Sequence, residues 1–269
     1  MKILVIGGCG YIGSAIYRHL DEQGHKVDSM DLERRGDAGI LRNERLDYTW
    51  AHRFSEWEAI IMMAGHSSVK ASIATPYAAF ENNLAGLARL TQQLAGQALI
   101  YASSAAVHDQ SNQHNMYDIT KRAAEAIVPL LYPNSWGLRF GTVAGPSPNM
   151  RLDTMVNAMV SSALRANRIS LSNPRAWRPI LGMGDLLAGI DRILDGNVPA
   201  GLHDMCSFSS SIEHVAERIG ELTGAPVVEA APTPTYDFLM TPEEWMGSTQ
   251  TLDEIVAALI EHHRKGELV

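Results

Sequence analysis

The apolar residues of the first half gather in short stretches: Ile3-Leu4-Val5-Ile6, Ala59-Ile60-Ile61-Met62-Met63 and Ala98-Leu99-Ile100-Tyr101-Ala102-Ser103, with the more mixed Lys26-Val27-Asp28-Ser29-Met30 between the first two. Between them apolar residues recur at three- and four-residue spacing, over Ser14 to Glu22, near Tyr77 to Leu94 and over Tyr117 to Leu131. Continuous runs suit strands buried on both faces, and the intervening period suits helices lying on those faces. The alternation therefore predicts βαβ units in a doubly wound parallel sheet of the α/β class. Gly24 is placed to stop the first helix, and Trp136 to Phe140 reads as a further strand. Beyond residue 145 the texture changes. GPSPN is a turn, Thr154 to Ala166 a helix, and LSNPRAWRP an irregular stretch. A helix at Asp185 to Leu194, a strand at Gly201 to Cys206 and helices at Ser211 to Thr223 and Leu252 to His263 follow, with the proline-broken AAPTPTYDF before the last. The expected division is residues 1–148, with 179–206 returning to them, against a smaller lobe of 149–178 and 207–269.

Composition narrows the partners. The chain has 269 residues, 46% hydrophobic and 19% charged, enough for a sizeable core plus a lobe. A formal net charge of −8, with Lys and Arg scattered, argues against nucleic acid or an anionic membrane surface as partner. Cys9 and Cys206 cannot form a disulfide framework, and no apolar run approaches the ~18 residues of a membrane span. A cytoplasmic protein acting on a small molecule is the expectation.

Two motifs carry chemistry. GGCGYIGS, residues 7–14, follows the first strand and opens the first helix. In that order Gly7, Gly10 and Gly13 let the chain bend tightly and approach a pyrophosphate, which meets the helix N-terminus. Asp31 ends the second strand, 18 positions after Gly13, where a carboxylate accepts both adenosine ribose hydroxyls and repels a 2′-phosphate. NAD is favoured over NADP, although Arg34 and Arg35 lie close by. The second motif, Tyr117-Asp-Ile-Thr-Lys121, sets a phenol and an ammonium one helical turn apart, so that the cation eases loss of the phenolic proton. Upstream, YASSAAVH runs a strand into Ser103 and Ser104 at its carboxyl end, where open α/β sheets bind ligands. Ser104, helped by Ser103, is placed to hydrogen-bond the oxygen on which Tyr117 acts. His262-His263, His66, His108 and Met62-Met63 read as solvated, loop or core residues, and no metal site is expected.

These motifs, with MMAGHSSV, FENNLAG, LRFGTVAGP and WRPILGMGDL in this order, resemble the extended short-chain dehydrogenase/reductases, specifically the NAD-dependent epimerase/dehydratase branch. The resemblance implies a Rossmann domain, backbone contacts from Tyr11 and Ile12 to the pyrophosphate, and Asp31 and Leu32 flanking the adenosine. It further implies Asp47 at the adenine, and Ala64, Gly65 and Asn82, or Asn83 in its place, along the dinucleotide. Tyr117 becomes the acid/base, Lys121 the ribose anchor, and Ser104 the partner of the reacting hydroxyl. In the second lobe Asn157 and Arg178 match positions that contact the nucleotide of a nucleoside-diphosphate sugar, Thr142 at the strand end is a further candidate substrate contact, and members commonly form homodimers through two helices. The implied activity is 4-epimerisation through a transient keto sugar. A reductase or dehydrogenase using the same residues is the nearer alternative, and a non-catalytic dinucleotide sensor the more distant one. The chain departs from the pattern at Thr142, where many sugar epimerases carry asparagine, and in APTPTYDF, which has no basic residue. Ala105-Ala106 stand where a 4,6-dehydratase needs an Asp-Glu pair.

Overall fold

The computed structural model describes residues 1–31, 54–109 and 115–266. The chain divides into two compact units, Met1–Arg139 with Asp191–His203, and Phe140–Ile190 with Asp204–Val269.

In the first unit, β1 (Lys2–Ile6), β2 (Lys26–Met30) and β3 (Ala59–Met62) are the first three strands expected from the sequence, and β3 is buried along its whole length. Helix α1 (Tyr11–Glu22) joins β1 to β2 and buries Ala15, Ile16, Tyr17 and Leu20. Helices α2 (Val69–Ala74), α3 (Pro76–Phe80) and α4 (Gly86–Thr91) lead to β4 (Ala98–Ser104), and α5 (Met116–Leu131) to β5 (Ser135–Phe140). The helix expected near Tyr77 to Leu94 is interrupted by a π-helical turn at Glu81–Ala85. Its wider winding carries the buried Asn83, whose carboxamide bonds both to the loop after β3 and to α5.

The sheet order is β2-β1-β3-β4-β5-β9, with β1 paired parallel to both β2 and β3, and β3 parallel to β4. The chain moves outward from β1 to β2 and then crosses to the other side of β1 for β3. That reversal opens a crevice at the carboxyl ends of β1 and β3, the place where doubly wound sheets take ligands. Leu4, Ile6, Ile60, Leu90, Leu99 and Val128 form the core beneath it. The side chains of Ile73, Tyr77, Phe80, Ile127, Leu130 and Leu131 are exposed on α2, α3 and α5.

The second unit contains β6 (Thr142–Ala144), α6 (Met155–Ala166), β7 (Ile169–Leu171) and β8 (Trp177–Gly182). Helix α7 (Met183–Leu194) is divided between the two units and β9 (Gly201–Met205) likewise. Then come β10 (Phe208–Ser211), α8 (Ile212–Thr223), β11 (Val227–Glu229) and α9 (Leu252–Arg264), the last opened by a capping box between Thr251 and Glu254. Strand order β10-β8-β6 makes one small sheet and β11-β7 another. The segment LSNPRAWRP, expected to be irregular, supplies the end of β7 and the start of β8. Pro179 is tolerated there because it precedes the β6 ladder, which begins at Thr142 opposite Ile180.

Candidate active site

The crevice begins with the glycine turn. Gly7 has φ +90°, and a Cβ on it would run into the backbone of Met63 and Ala64 in the loop after β3. That loop is held close because Met63 N–H and Ala64 N–H both donate to the Ile6 carbonyl, at 2.7 and 2.9 Å. A Cβ on Gly13 would meet the Gly7 carbonyl, so glycine there lets α1 press against the turn. Helix α1 starts from Gly10, which offers no side-chain cap, and has no acidic residue in its first turn. Such a helix end suits an anion better than a carboxylate-capped one does. Across the turn, Asp31 Oδ2 accepts the Cys9 N–H at 2.8 Å, which fixes the carboxylate at the end of β2. Gly7, Gly10, Tyr11, Ile12, Gly13, Asp31, Ala64 and Gly65 thus line one edge of the first unit. Leu32 and Asp47 lie outside the described residues. The turn, the uncapped helix and the acidic residue at the strand end fit a dinucleotide.

The two asparagines of the π turn differ. Asn82 Nδ2 donates to the Ala78 carbonyl of the preceding turn at 2.8 Å. Asn83 Oδ1 accepts the His66 N–H at 2.7 Å, while its Nδ2 donates to the His66 carbonyl and to Thr120 Oγ1, both at 3.2 Å. Asn83 therefore ties the β3 loop to the helix that carries Tyr117 and Lys121. Sequence reasoning left the pair ambiguous because a helical period cannot show where a π turn shifts the inward face.

Helix α5 packs against β4 and the short turn that follows it. Asn115 caps α5, its Oδ1 accepting the Asp118 N–H at 3.0 Å. Tyr117 is half-buried, and Lys121 is buried at 8% exposure with Nζ 5.9 Å from the centroid of the Tyr117 ring. Lys121 Nζ donates to the Ala102 carbonyl at 2.6 Å. Burial pushes its ammonium down to about 8, and the nearby Glu125 carboxylate opposes that fall. Ser104 Oγ accepts the Ala106 N–H at 3.2 Å, which orients the hydroxyl and leaves its proton available to donate. Ser103 is engaged differently: its Oγ–H donates to Glu125 Oε1 at 2.5 Å. Arg122 Nη2 donates to the Val107 and Asp109 carbonyls, at 3.2 and 3.0 Å, and so fastens the turn after Ser104 to α5.

Thr142, Asn157 and Arg178 belong to the second unit. Arg178 Nη2 donates to Thr142 Oγ1 at 2.9 Å and Nη1 to Thr235 Oγ1 at 3.0 Å, with Cζ 5.4 Å from the Tyr236 ring centroid. The proline-broken segment is held along β8, since Trp177 N–H donates to Asp237 Oδ1 at 2.8 Å and Phe238 N–H to the Trp177 carbonyl at 3.1 Å. Thr142 and Arg178 thus come together. Asn157 is 1% exposed, accepts the Gly145 N–H at 3.1 Å and donates to the Arg151 carbonyl at 3.0 Å, which fixes the entry to α6. Sequence reasoning missed Glu125, Arg122, Arg139, Thr235 and Tyr236. The spacing of Glu125, one turn beyond Lys121, was the available signal for the first.

Comparison with known proteins identifies the family and the fold. The pattern of the NAD dependent epimerase/dehydratase family matches residues 3–202. Protein CapI of Staphylococcus aureus is 26% identical over 201 residues, 60% of each chain. A UDP-glucose 4-epimerase of Halalkalibacterium halodurans is 30% identical over 181 residues, 56% of this chain and 54% of that one. The matched stretch therefore spans little more than half the length of these relatives. Among solved structures, the UDP-glucose 4-epimerase of Thermus thermophilus in complex with NAD superposes with a TM-score of 0.81 at 21% identity, covering 98% of this chain and 99% of that one. At that identity the likeness is one of fold.

Proposed function

Because the chain belongs to the NAD-dependent epimerase/dehydratase family, we propose that it is a nucleotide-sugar 4-epimerase that uses NAD and regenerates it within each cycle. The observation that carries this reading is the buried Lys121 ammonium, 5.9 Å from the Tyr117 ring, beside a strand end that presents Ser104. The glycine turn, the start of α1, Asp31 and the Ala64-Gly65 loop would hold the dinucleotide, with Lys121 at its ribose. When bound, it supplies reversible removal of hydrogen from a carbinol carbon.

The chain's own residues supply the proton chemistry. Tyr117 takes the proton from the sugar hydroxyl while Ser104 donates a hydrogen bond to the same oxygen. Lys121, positively charged and held by the Ala102 carbonyl, stabilises the phenolate that accepts that proton. Once the keto sugar has presented its other face, Tyr117 returns the proton and the configuration is inverted. Arg178, already aimed by Thr142 and Thr235, is suited to a diphosphate because its planar fork donates two parallel bonds. Dehydration needs a further acid and base beyond Ser104, and Ala105-Ala106 provide neither. The curated UDP-glucose 4-epimerase relative supports the sugar-nucleotide class. A homodimer is part of the same reading: Tyr77 and Phe80 of α3 and Leu130 and Leu131 of α5 are exposed apolar side chains that a second copy would cover, and sedimentation at twice the chain mass is its check.

Incubation with UDP-glucose, UDP-galactose and UDP-glucuronic acid, followed by proton NMR of the anomeric and C4 signals, tests the activity. Interconversion without net change at the reduced-nicotinamide absorbance is expected, and it should vanish in Tyr117→Phe while NAD binding persists. Steady accumulation of reduced cofactor would replace the epimerase with a dehydrogenase.

A further inference from the structure

Behind Tyr117 and Lys121 lies a second set of polar groups that the proton chemistry leaves unused. Glu125 stands on α5 one turn beyond Lys121 and two beyond Tyr117, so all three share a helix face. Its Oε1 accepts the Ser103 Oγ–H at 2.5 Å and the Arg139 Nε–H at 3.0 Å, and its Oε2 accepts Arg139 Nη2 at 2.9 Å. The carboxylate side chain is 9% exposed and the guanidinium 22%. Successive residues of β4 are thereby fastened to successive turns of α5: the Ala102 carbonyl holds Lys121, and Ser103 holds Glu125. The bidentate fork leaves Glu125 little rotational freedom.

We propose that Glu125, anchored by Ser103 and shared with Arg139, is a positioning residue that keeps Lys121 cationic beneath Tyr117, with Ser103 acting through it. The proposal rests on the acid/base reading of Tyr117 given above. Burial alone drives the ammonium toward neutrality, and the Glu125 carboxylate is the charge that opposes it. Tyr117, Asp118 and Arg122 are the other titratable groups near it on α5. The elements packed on α5 bring Lys70 from α2, Tyr77 from α3, Glu81 from the π turn, Arg89 from α4, Tyr101 from β4 and His108 from the turn after it. Glu81 is occupied by Arg89 at 3.1 Å, Lys70, Arg89 and Arg122 carry the same sign as Lys121, and Arg139 of β5 is the cation paired with Glu125 at 2.9 Å. A single carboxylate thus serves two cations, and the Arg139 charge offsets part of its field at Lys121.

The test titrates Lys121 itself. Competitive acetylation with acetic anhydride across pH, read by mass spectrometry of the Lys121 peptide, reports the ionisation of that amine with or without a substrate in hand. In Glu125→Gln the midpoint should fall by roughly one unit, because the opposing negative charge is gone while the Arg139 cation stays. In Arg139→Gln, which removes the competing cation and serves if the first variant does not fold, the midpoint should rise. Opposite signs for the two variants distinguish an electrostatic role from loss of packing, which would move neither in this manner. An unchanged midpoint in a folded Glu125→Gln, or a fall in Arg139→Gln, overturns the proposal. If no sugar nucleotide is turned over, the epimerase reading fails while this titration is still decided; if turnover is found, its pH profile should shift with the amine.

Discussion

Replacing Lys121 with methionine should trade function for stability, and the trade has a calculable pH dependence. Lys121 is 8% exposed and its ammonium is lowered from the ordinary 10.5 to about 8 by burial. That difference corresponds to about 3 kcal/mol of cost for keeping the charge in the folded chain at neutral pH. The sign follows from where each state holds its proton. Below about pH 8 both the folded and the unfolded chain carry the ammonium, and the fold bears the whole cost. Between about 8 and 10.5 the folded chain releases the proton while the unfolded chain keeps it, so stability from this group rises with pH. Methionine has a similar length and no titration. It loses the bond to the Ala102 carbonyl, but a neutral amine can also donate there, so that loss is nearly constant across pH and cancels in a difference. Urea unfolding of both proteins, stripped of dinucleotide, at about pH 7 and about pH 9.5 should therefore show wild type gaining about 2 kcal/mol on the variant. Equal changes in the two proteins, within about 0.5 kcal/mol, would mean that Lys121 does not carry a buried charge, and the account of its role would fall with it.

Asp31→Asn keeps an acceptor for the Cys9 N–H but removes the charge at the end of β2. Loss of charge-assisted bonds to the ribose should weaken NAD binding by about 10- to 100-fold and narrow the margin over NADP, as titration calorimetry with each dinucleotide will show. An undiminished preference for NAD would place the discrimination elsewhere. Gly13→Ala puts a methyl against the Gly7 carbonyl and the Gly8 backbone, neither of which can yield as a side chain would. The expected cost is about 1–3 kcal/mol of stability together with dinucleotide binding, and a variant that melts and binds like wild type would refute the tight helix-to-turn packing.

Much of the first unit was written in local pattern. The runs at Ile3–Ile6 and Ala59–Met63 read as buried strands, and the glycines after β1 foretold the turn, whose path at Gly7 and Gly13 has no room for a Cβ. The pairing of Tyr117 with Lys121 was equally legible, since four residues on a helix bring side chains to one face whatever surrounds them. What the sequence alone could not decide were relations made across the fold. Asn82 and Asn83 are neighbours of identical chemistry, and only the π turn and its bonds to His66 and Thr120 turn one of them inward. Ser103 and Ser104 were read as acting together, yet the fold gives them different partners: one serves Glu125 and the other caps a turn. Glu125 meets Arg139, and Arg178 meets Thr235, across separations of 14 and 57 residues. Such contacts leave no periodic trace in the chain, because they depend on how strands and helices stack and not on the repeat of any one of them.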